Sequence, residues 1–241
     1  MTKHPLLISR GLLMLTGGFS MLQAGSYMVK PVRIELSARQ LRTTIQIQNL
    51  GNEATTIQAR VVAWNAKGLE EVLSENDEIL LNPPIFTIAA GREQSMRLGL
   101  RQPKPATVEL TYRLILEEVP PPPRPEFTGV NTVLKISVPI FVKPAMPAPQ
   151  LTWTVKHISD KELQLAVENQ GNSHVQIKQI AVTGADRSEP DFVKNTSTYV
   201  LKTGRKEWVI RDAHLAGAGR FLVQARTDNG EIRETLSPDR P

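Results

Sequence analysis

Few residues in this chain have the type and spacing that covalent chemistry needs. The histidines are His4, His157, His174 and His214, and none stands at metal-ligand spacing from another. There is no G-x-S-x-G elbow, phosphate loop, G-x-G-x-x-G or H-E-x-x-H motif. Glu117 and Glu118 are an acidic pair, but neighbours on a strand point to opposite faces, so they do not flank one bond as glycosidase carboxylates do. With no cysteine, disulfides, thiol chemistry and cysteine zinc sites are excluded. Asn195-Thr196-Ser197 is a glycosylation sequon, read here as part of a loop. The chain reads as a binding module without cofactor or metal, not as an enzyme.

What remains is the chemistry of strand pairing. Asn131 to Pro144 reads NTVLKISVPIFVKP. Leu134, Ile136, Val138, Ile140 and Val142 form an apolar stripe, and Lys135, Ser137, Pro139, Phe141 and Lys143 fall on the other parity. Pro139 donates no ladder hydrogen bond, which points to an edge strand or a bulge. An apolar edge is an aggregation hazard unless another chain uses it by strand addition. The plainer reading is an ordinary strand that closes its own sheet.

Export is written at the N-terminus. Lys3, His4 and Arg10 precede the short apolar run Gly11 to Leu22, and small residues follow at Ala24, Gly25 and Ser26. This is a secretory signal pattern over residues 1–25, too short for a membrane span. No later segment offers a span either, so the expected mature chain is exported, without stable membrane insertion. The net charge of +5 and pI near 9.6 come from dispersed lysines and arginines with no aromatic interleaving. That is a solvated basic surface, with no nucleic-acid partner expected.

The elements that must position these residues are short alternating runs. They lie at Val29 to Leu36, Thr43 to Gln48, Thr56 to Trp64, Met96 to Leu100, Val108 to Glu117 and Val133 to Val142. A second set lies at Leu151 to His157, Glu162 to Val167, Val175 to Val182, Lys206 to Ile210 and Arg220 to Thr227. Turn pairs separate them and no helical period is sustained, so the chain is all-β. KPAMPAP, Lys143 to Pro149, is a proline-stiffened connector that divides the chain at residues 26–144 and 145–241. Thr44 to Asn52 matches Gln164 to Asn172, each ending Asn-x-Gly-Asn. Gly51, Asn52, Gly171 and Asn172 are expected at the positive-φ positions of two hairpins.

Several features occur in a set order: Val32-Arg33-Ile34-Glu35-Leu36, Asn49-x-Gly51-Asn52, Pro83 to Gly91, Tyr112-Arg113 to Pro120, and Ile136 to Pro144. This ordered set resembles the periplasmic pilus chaperones of chaperone–usher systems. The YRLILEEVP and SVPIFVKP details resemble the archaic, spore-coat-like branch. The resemblance covers nearly all of the first domain, while the second matches in size and β-character only.

The resemblance implies a boomerang of two immunoglobulin-like sandwiches. It also implies a donor strand at residues 131–143 that fills the open groove of an incomplete pilus subunit, with Leu134, Ile136, Val138 and Ile140 as the inserted side chains. The subunit's terminal carboxylate is gripped by basic residues in the interdomain cleft. Arg33 sits where the family has its first-strand arginine. The family's second anchor, a donor-strand lysine, aligns with Pro139, which cannot serve. Arg113 is the substitute, with Lys135 a weaker candidate. Pilus subunits and an outer-membrane usher are the implied partners, and the periplasm the compartment. PPPPRP, Pro120 to Pro125, reads as a rigid polyproline spacer. The alternatives are a two-sandwich adhesive surface protein and, more weakly, a carbohydrate-binding or hydrolytic one. Trp64, Trp153 and Trp208 are scattered through strand-like segments, against the exposed aromatics that a sugar site uses.

Overall fold

The computed structural model describes residues 26–102, 106–120, 132–212, 214–215 and 218–238. The signal segment, Asn131 and Pro121 to Pro125 of the proline run lie outside them. The described residues form two β-sandwiches in series. In the first, one sheet has the order β1 (Tyr27–Lys30), β3 (Arg42–Asn49), β8 (Glu93–Leu100), β6 (Ile79–Asn82). The facing sheet runs β2 (Ile34–Leu36), β10 (Lys135–Val142), β9 (Leu110–Glu118), β4 (Thr55–Lys67), β5 (Glu70–Ser74), with β7 (Ile85–Ile88) also on β4. The second sandwich pairs the sheet β11 (Leu151–Ser159), β12 (Glu162–Asn169), β15 (Arg205–Arg211) with a larger one. That one runs β14 (Phe192–Val200), β13 (Val175–Gly184), β16 (Phe221–Thr227), β17 (Gly230–Leu236).

Each core follows from alternation. In the first sandwich Ile45, Ile47, Ile57, Met96, Leu98, Leu114, Leu116 and Ile140 interdigitate between the sheets. In the second, Leu163, Leu165, Ile177, Ile180, Phe221 and Val223 do so around the stacked pair Trp153 and Trp208. The single strand expected over Val29 to Leu36 is two. β1 pairs with β3 and β2 with β10, so the chain changes sheets across Pro31, which has no N–H to give a ladder. β5, β14 and β17 carry few fully buried residues and were invisible to alternation. The sequon at Asn195 lies within β14, not in a loop.

The repeated Asn-x-Gly-Asn motif is not a hairpin. β3 and β4 lie in opposite sheets, as do β12 and β13, so each motif is a corner between sheets. Asn49 is buried and its Nδ2 donates to Glu53 O and Ile88 O, while its Oδ1 accepts from Gly51 N. Asn169 repeats the scheme with Ser173 O, Val200 O and Gly171 N. Neither glycine has positive φ; the asparagine side chain, not the backbone, makes the bend. Gly171 is needed for another reason. A Cβ there would lie 2.3 Å from Ala148 O, because the proline connector is stitched onto this corner. Asn172 holds it by accepting from Ala148 N and donating to Met146 O.

The sandwiches share a third core. Trp64 and Phe141 of the first pack with Leu201 and Tyr199 of the second. Phe141 stacks on His174 with ring centroids 3.6 Å apart. Around it runs a polar chain. Buried Glu109 accepts from His174 N at 2.8 Å and sits 2.7 Å from His174 Nδ1. His174 Nε2 lies 3.8 Å from Asp228, Asp228 accepts from Arg33, and Arg33 and Lys143 both donate to Glu35. A second clasp joins Lys206 Nζ to Glu71 at 2.6 Å. Beside it Gly68, at φ 61°, donates to Thr203 O and accepts from Arg205 N.

Two outcomes are expected. Phe141→Ala empties the shared core, lowers unfolding free energy by about 3–5 kcal/mol, and splits one calorimetric transition into two. Acid loosens the same interface. Burial opposes the charge on Glu35 and Glu71, but Lys143 and Arg33 in one case, and Lys206 and Trp64 in the other, hold both pKa values below the ordinary 4.5. Depressed values mean that the stabilisation is present above pH 4.5 and is lost as pH falls through the folded-state values. Solution scattering across that range shows a growing radius of gyration before either sandwich loses its circular dichroism.

Candidate functional site

Strand β10 is held differently along its length. β9 pairs with all of it, from Lys135 to Val142, whereas β2 covers only Ile140 to Val142 on the other side. Among the described residues, the edge from Leu134 to Pro139 therefore has no strand beside it. Pro139 stands one residue before the β2 pairing begins, at the junction between the open and the covered edge.

The apolar stripe faces inward and is divided. Val138 and Ile140 are buried in the first core, so these two expected donor side chains are already spent inside their own sandwich. Ile136 is half-buried against that core and Leu134 is half-buried beyond it, where the sandwich ends. Leu134 is tied by its backbone to Glu118: its N–H donates to the Glu118 carboxylate, and its carbonyl accepts from Glu118 N.

The outward face brings the two expected arginines together. Pro139 is paired with Arg113 on β9, and Ile140 with Ile34 on β2, so Arg33 lies beside Pro139 on the opposite flank. Two strand spacings separate them, roughly 10 Å between backbones. Tyr199 of the second sandwich faces both. Its pKa is raised by burial, and the Arg33 and Arg113 charges partly offset that rise.

The two guanidiniums differ in state. Arg33 Nη1 donates to Asp228 at 2.9 Å and its Nη2 to Glu35 at 2.6 Å. Burial works against its charge, but the Asp228 hydrogen bond and the two carboxylates outweigh it and its pKa is raised. Arg113 lies flat on Trp64, 3.5 Å from the ring centroid, and makes no side-chain hydrogen bond to any described residue. Burial lowers its pKa, with Glu71 and Tyr199 acting in the opposite sense. A stacked, half-desolvated cation without a hydrogen-bonded anion is suited to an incoming carboxylate. A cavity of about 310 Å³ opens beside it, lined in part by Trp64, Arg113, Tyr199 and Lys206.

Lys135 does not join this group. It is more than half exposed, lies 3.8 Å from Glu117, and sits four residues along the strand from Pro139, roughly 13 Å away at strand rise. The residues missed in the sequence are His174, Asp228 and Tyr199, which are contributed by the second sandwich and hold the cleft's far wall. Among the described residues, no group of three His, Asp or Glu side chains is placed to hold a metal ion.

Residues 26–148 match the model of the pili and flagellar-assembly chaperone PapD N-terminal domain. No curated protein sequence matches the chain. A chain of the CsuC–CsuE chaperone–tip adhesion subunit pre-assembly complex, from archaic chaperone–usher Csu pili of Acinetobacter baumannii, is similar at 22% identity and TM-score 0.64, over 89% of this chain and 100% of that one. The Salmonella enterica SafA pilin complex with the SafB chaperone gives 19% identity and TM-score 0.58, over 89% and 96%. The class 5 fimbriae chaperone CfaA gives 15% and 0.59, over 89% and 100%. The two sandwiches are immunoglobulin-like, the arrangement is that of these chaperones, and the chain belongs to the PapD family of pilus-assembly chaperones.

Proposed function

We propose that this protein is a periplasmic chaperone that holds an incomplete pilus subunit on the open edge of β10 and passes it to an outer-membrane usher. The observation that carries the reading is the flanking of Pro139 by Arg33 and Arg113 at the root of that edge. An added strand gains main-chain hydrogen bonds along Leu134 to Pro139, and its terminal carboxylate reaches the two guanidiniums. Leu134 and Ile136 are the side chains offered to the subunit's groove. Val138 and Ile140 root the strand in the chaperone.

These contributions can be compared by magnitude. A fully buried aliphatic side chain is worth about 1.5–3 kcal/mol, so completing two half-burials adds about 1.5–3 kcal/mol in all. Removing one partner of a buried, hydrogen-bonded charge pair costs about 2–5 kcal/mol. The anchor and the two knobs are thus comparable in size, and capture draws on both.

Two measurements test this. Arg113→Ala weakens capture of a subunit by about 2–5 kcal/mol, while the chaperone's unfolding midpoint falls only by the stacking on Trp64 that is lost. Arg33→Ala weakens capture and also lowers the midpoint, because Asp228 loses its partner. With a C-terminally amidated subunit, neither substitution adds its full cost; fully additive losses would refute shared carboxylate binding. Separately, Leu134→Ser with Ile136→Ser reduces co-purification of subunit while the chaperone stays folded. Undiminished pull-down by that double variant would overturn the open-edge reading.

A further inference from the structure

The outer face of the β3–β8–β6 sheet lies away from β10 and carries a second concavity of about 630 Å³. Strand pairing fixes its rows. Arg42, Gly99 and Leu80 stand side by side across the three strands, and Thr44, Arg97 and Asn82 form the next row. Arg101 follows on the same parity as Arg97 and Gly99 and lines the concavity. Gly99 makes the floor. A Cβ there would lie 2.8 Å from Arg42 Cγ and 2.8 Å from Leu41 O, so the arginine stem lies flat across the bare middle strand. Leu80 forms the rim and is 50% exposed.

The charge of this face is uncompensated. Arg42, Arg97 and Arg101 are exposed, and their side chains make no hydrogen bond or ion pair with any described residue. Glu93 is the one carboxylate in β3, β6 and β8, and it pairs with Gln48 at the far end. Five arginines elsewhere are paired with acids, Arg33, Arg187, Arg205, Arg211 and Arg233, while others such as Arg39, Arg60 and Arg92 stand singly among the described residues. Three unpaired ones, gathered around one trench, present guanidinium forks suited to carboxylates.

We propose that this trench is a docking groove for an extended acidic segment of a partner polypeptide, with the pattern acid–any–apolar–any–acid. Along an extended segment, alternate side chains face one way and positions four apart are about 13 Å apart. Arg97 on β8 and Arg101, just past its end, stand four residues apart. An acid at each end meets Arg97 and Arg101, with Arg42 between them, and the central apolar side chain lies over the Arg42 stem that crosses Gly99, against Leu80. The concave shape and the periodic rows favour a narrow chain over a bilayer surface, which contacts protruding side chains instead. The groove is independent of the β10 cleft, and its occupant needs no free C-terminus.

The test uses the whole purified protein and a fluorescent peptide of three Glu-Ser-Leu-Ser repeats closed by Glu, acetylated and amidated so that it cannot mimic a terminal carboxylate. Saturable binding is expected, strengthening as ionic strength falls. Arg42→Gln, Arg97→Gln and Arg101→Gln together weaken it at least about tenfold, with circular dichroism unchanged. Lys156→Gln, Lys178→Gln and Lys194→Gln, which remove equal charge elsewhere, leave it intact, as does Arg113→Ala. Replacing the peptide's leucines by serine weakens binding. The proposal is overturned by no binding, by equal loss in both triple variants, or by indifference to the leucines. It is also overturned if phosphatidylglycerol vesicles compete for the same arginines more strongly than the peptide. Because Arg113→Ala affects only the cleft, failure here and failure of the cleft reading are separately visible.

Discussion

Strand β10 is clamped on both sides over Ile140 to Val142 and on one side only before Pro139. That asymmetry organises the rest. The clamped half can be buried outright, and Ile140 and Val142 are. Along the half with an open edge burial fades, from Val138, still in the core, to half-buried Ile136 and Leu134. A strand buried throughout would have nothing to offer a partner, while one open throughout would have no fixed direction. Rooting one end in a packed core gives the free end a defined register at little further ordering cost.

The second sandwich matters because it fixes what stands beside that root. Phe141 projects away from the first core and stacks on His174, so the strand that ends the first domain is also the rivet of the interface. The ion network from Glu109 through His174, Asp228 and Arg33 to Glu35 and Lys143 crosses the boundary twice. Its inner members, Glu109, His174 and Asp228, are enclosed and costly to leave unpaired, so the network penalises displacement of the domains more than it adds net stability. Arg33 thereby has its position determined by the second domain although it belongs to the first. Arg113 is placed by Trp64, which the same interface buries.

How much of this was legible depends on which faces are buried by local partners. β4 buries alternate residues, and the residues of β9 and β10 that face the first core also alternate, so their period of two stands out in the sequence. β5, β14 and β17 are edge strands with little to bury, so they look like polar linkers. Phe141 sits on the polar parity and is buried only because another domain arrives, which alternation cannot reveal. The sequence shows Asn49 and Asn169 as a repeat and predicts hairpins, because a side-chain-made corner and a glycine-made turn share the same letters. His174 and Asp228 carried no signal, since their partners are 65 and 195 residues away. Arg33 and Arg113 came from the family resemblance, and their placement on either flank of one residue came from sheet order alone.

Pro139 bears on why two flanking arginines suit the proposed cleft. A basic side chain at position 139 would point from the middle strand onto the same outward face. It would stand between Arg33 and Arg113, one strand spacing of about 4.8 Å from each. Three cations that close, partly desolvated, would depress one another's charge, and Arg113 is already lowered by burial without a hydrogen-bonded anion. Proline removes the third charge and the ladder donor together, at the place where β10 stops being open and becomes covered. The remaining pair is asymmetric: Arg33 is held by Asp228 and Glu35, and Arg113 is held by an aromatic face that takes none of its hydrogen bonds. In the proposed function the first orients and the second receives. A carboxylate that arrives there completes the solvation of Arg113 instead of displacing an existing partner.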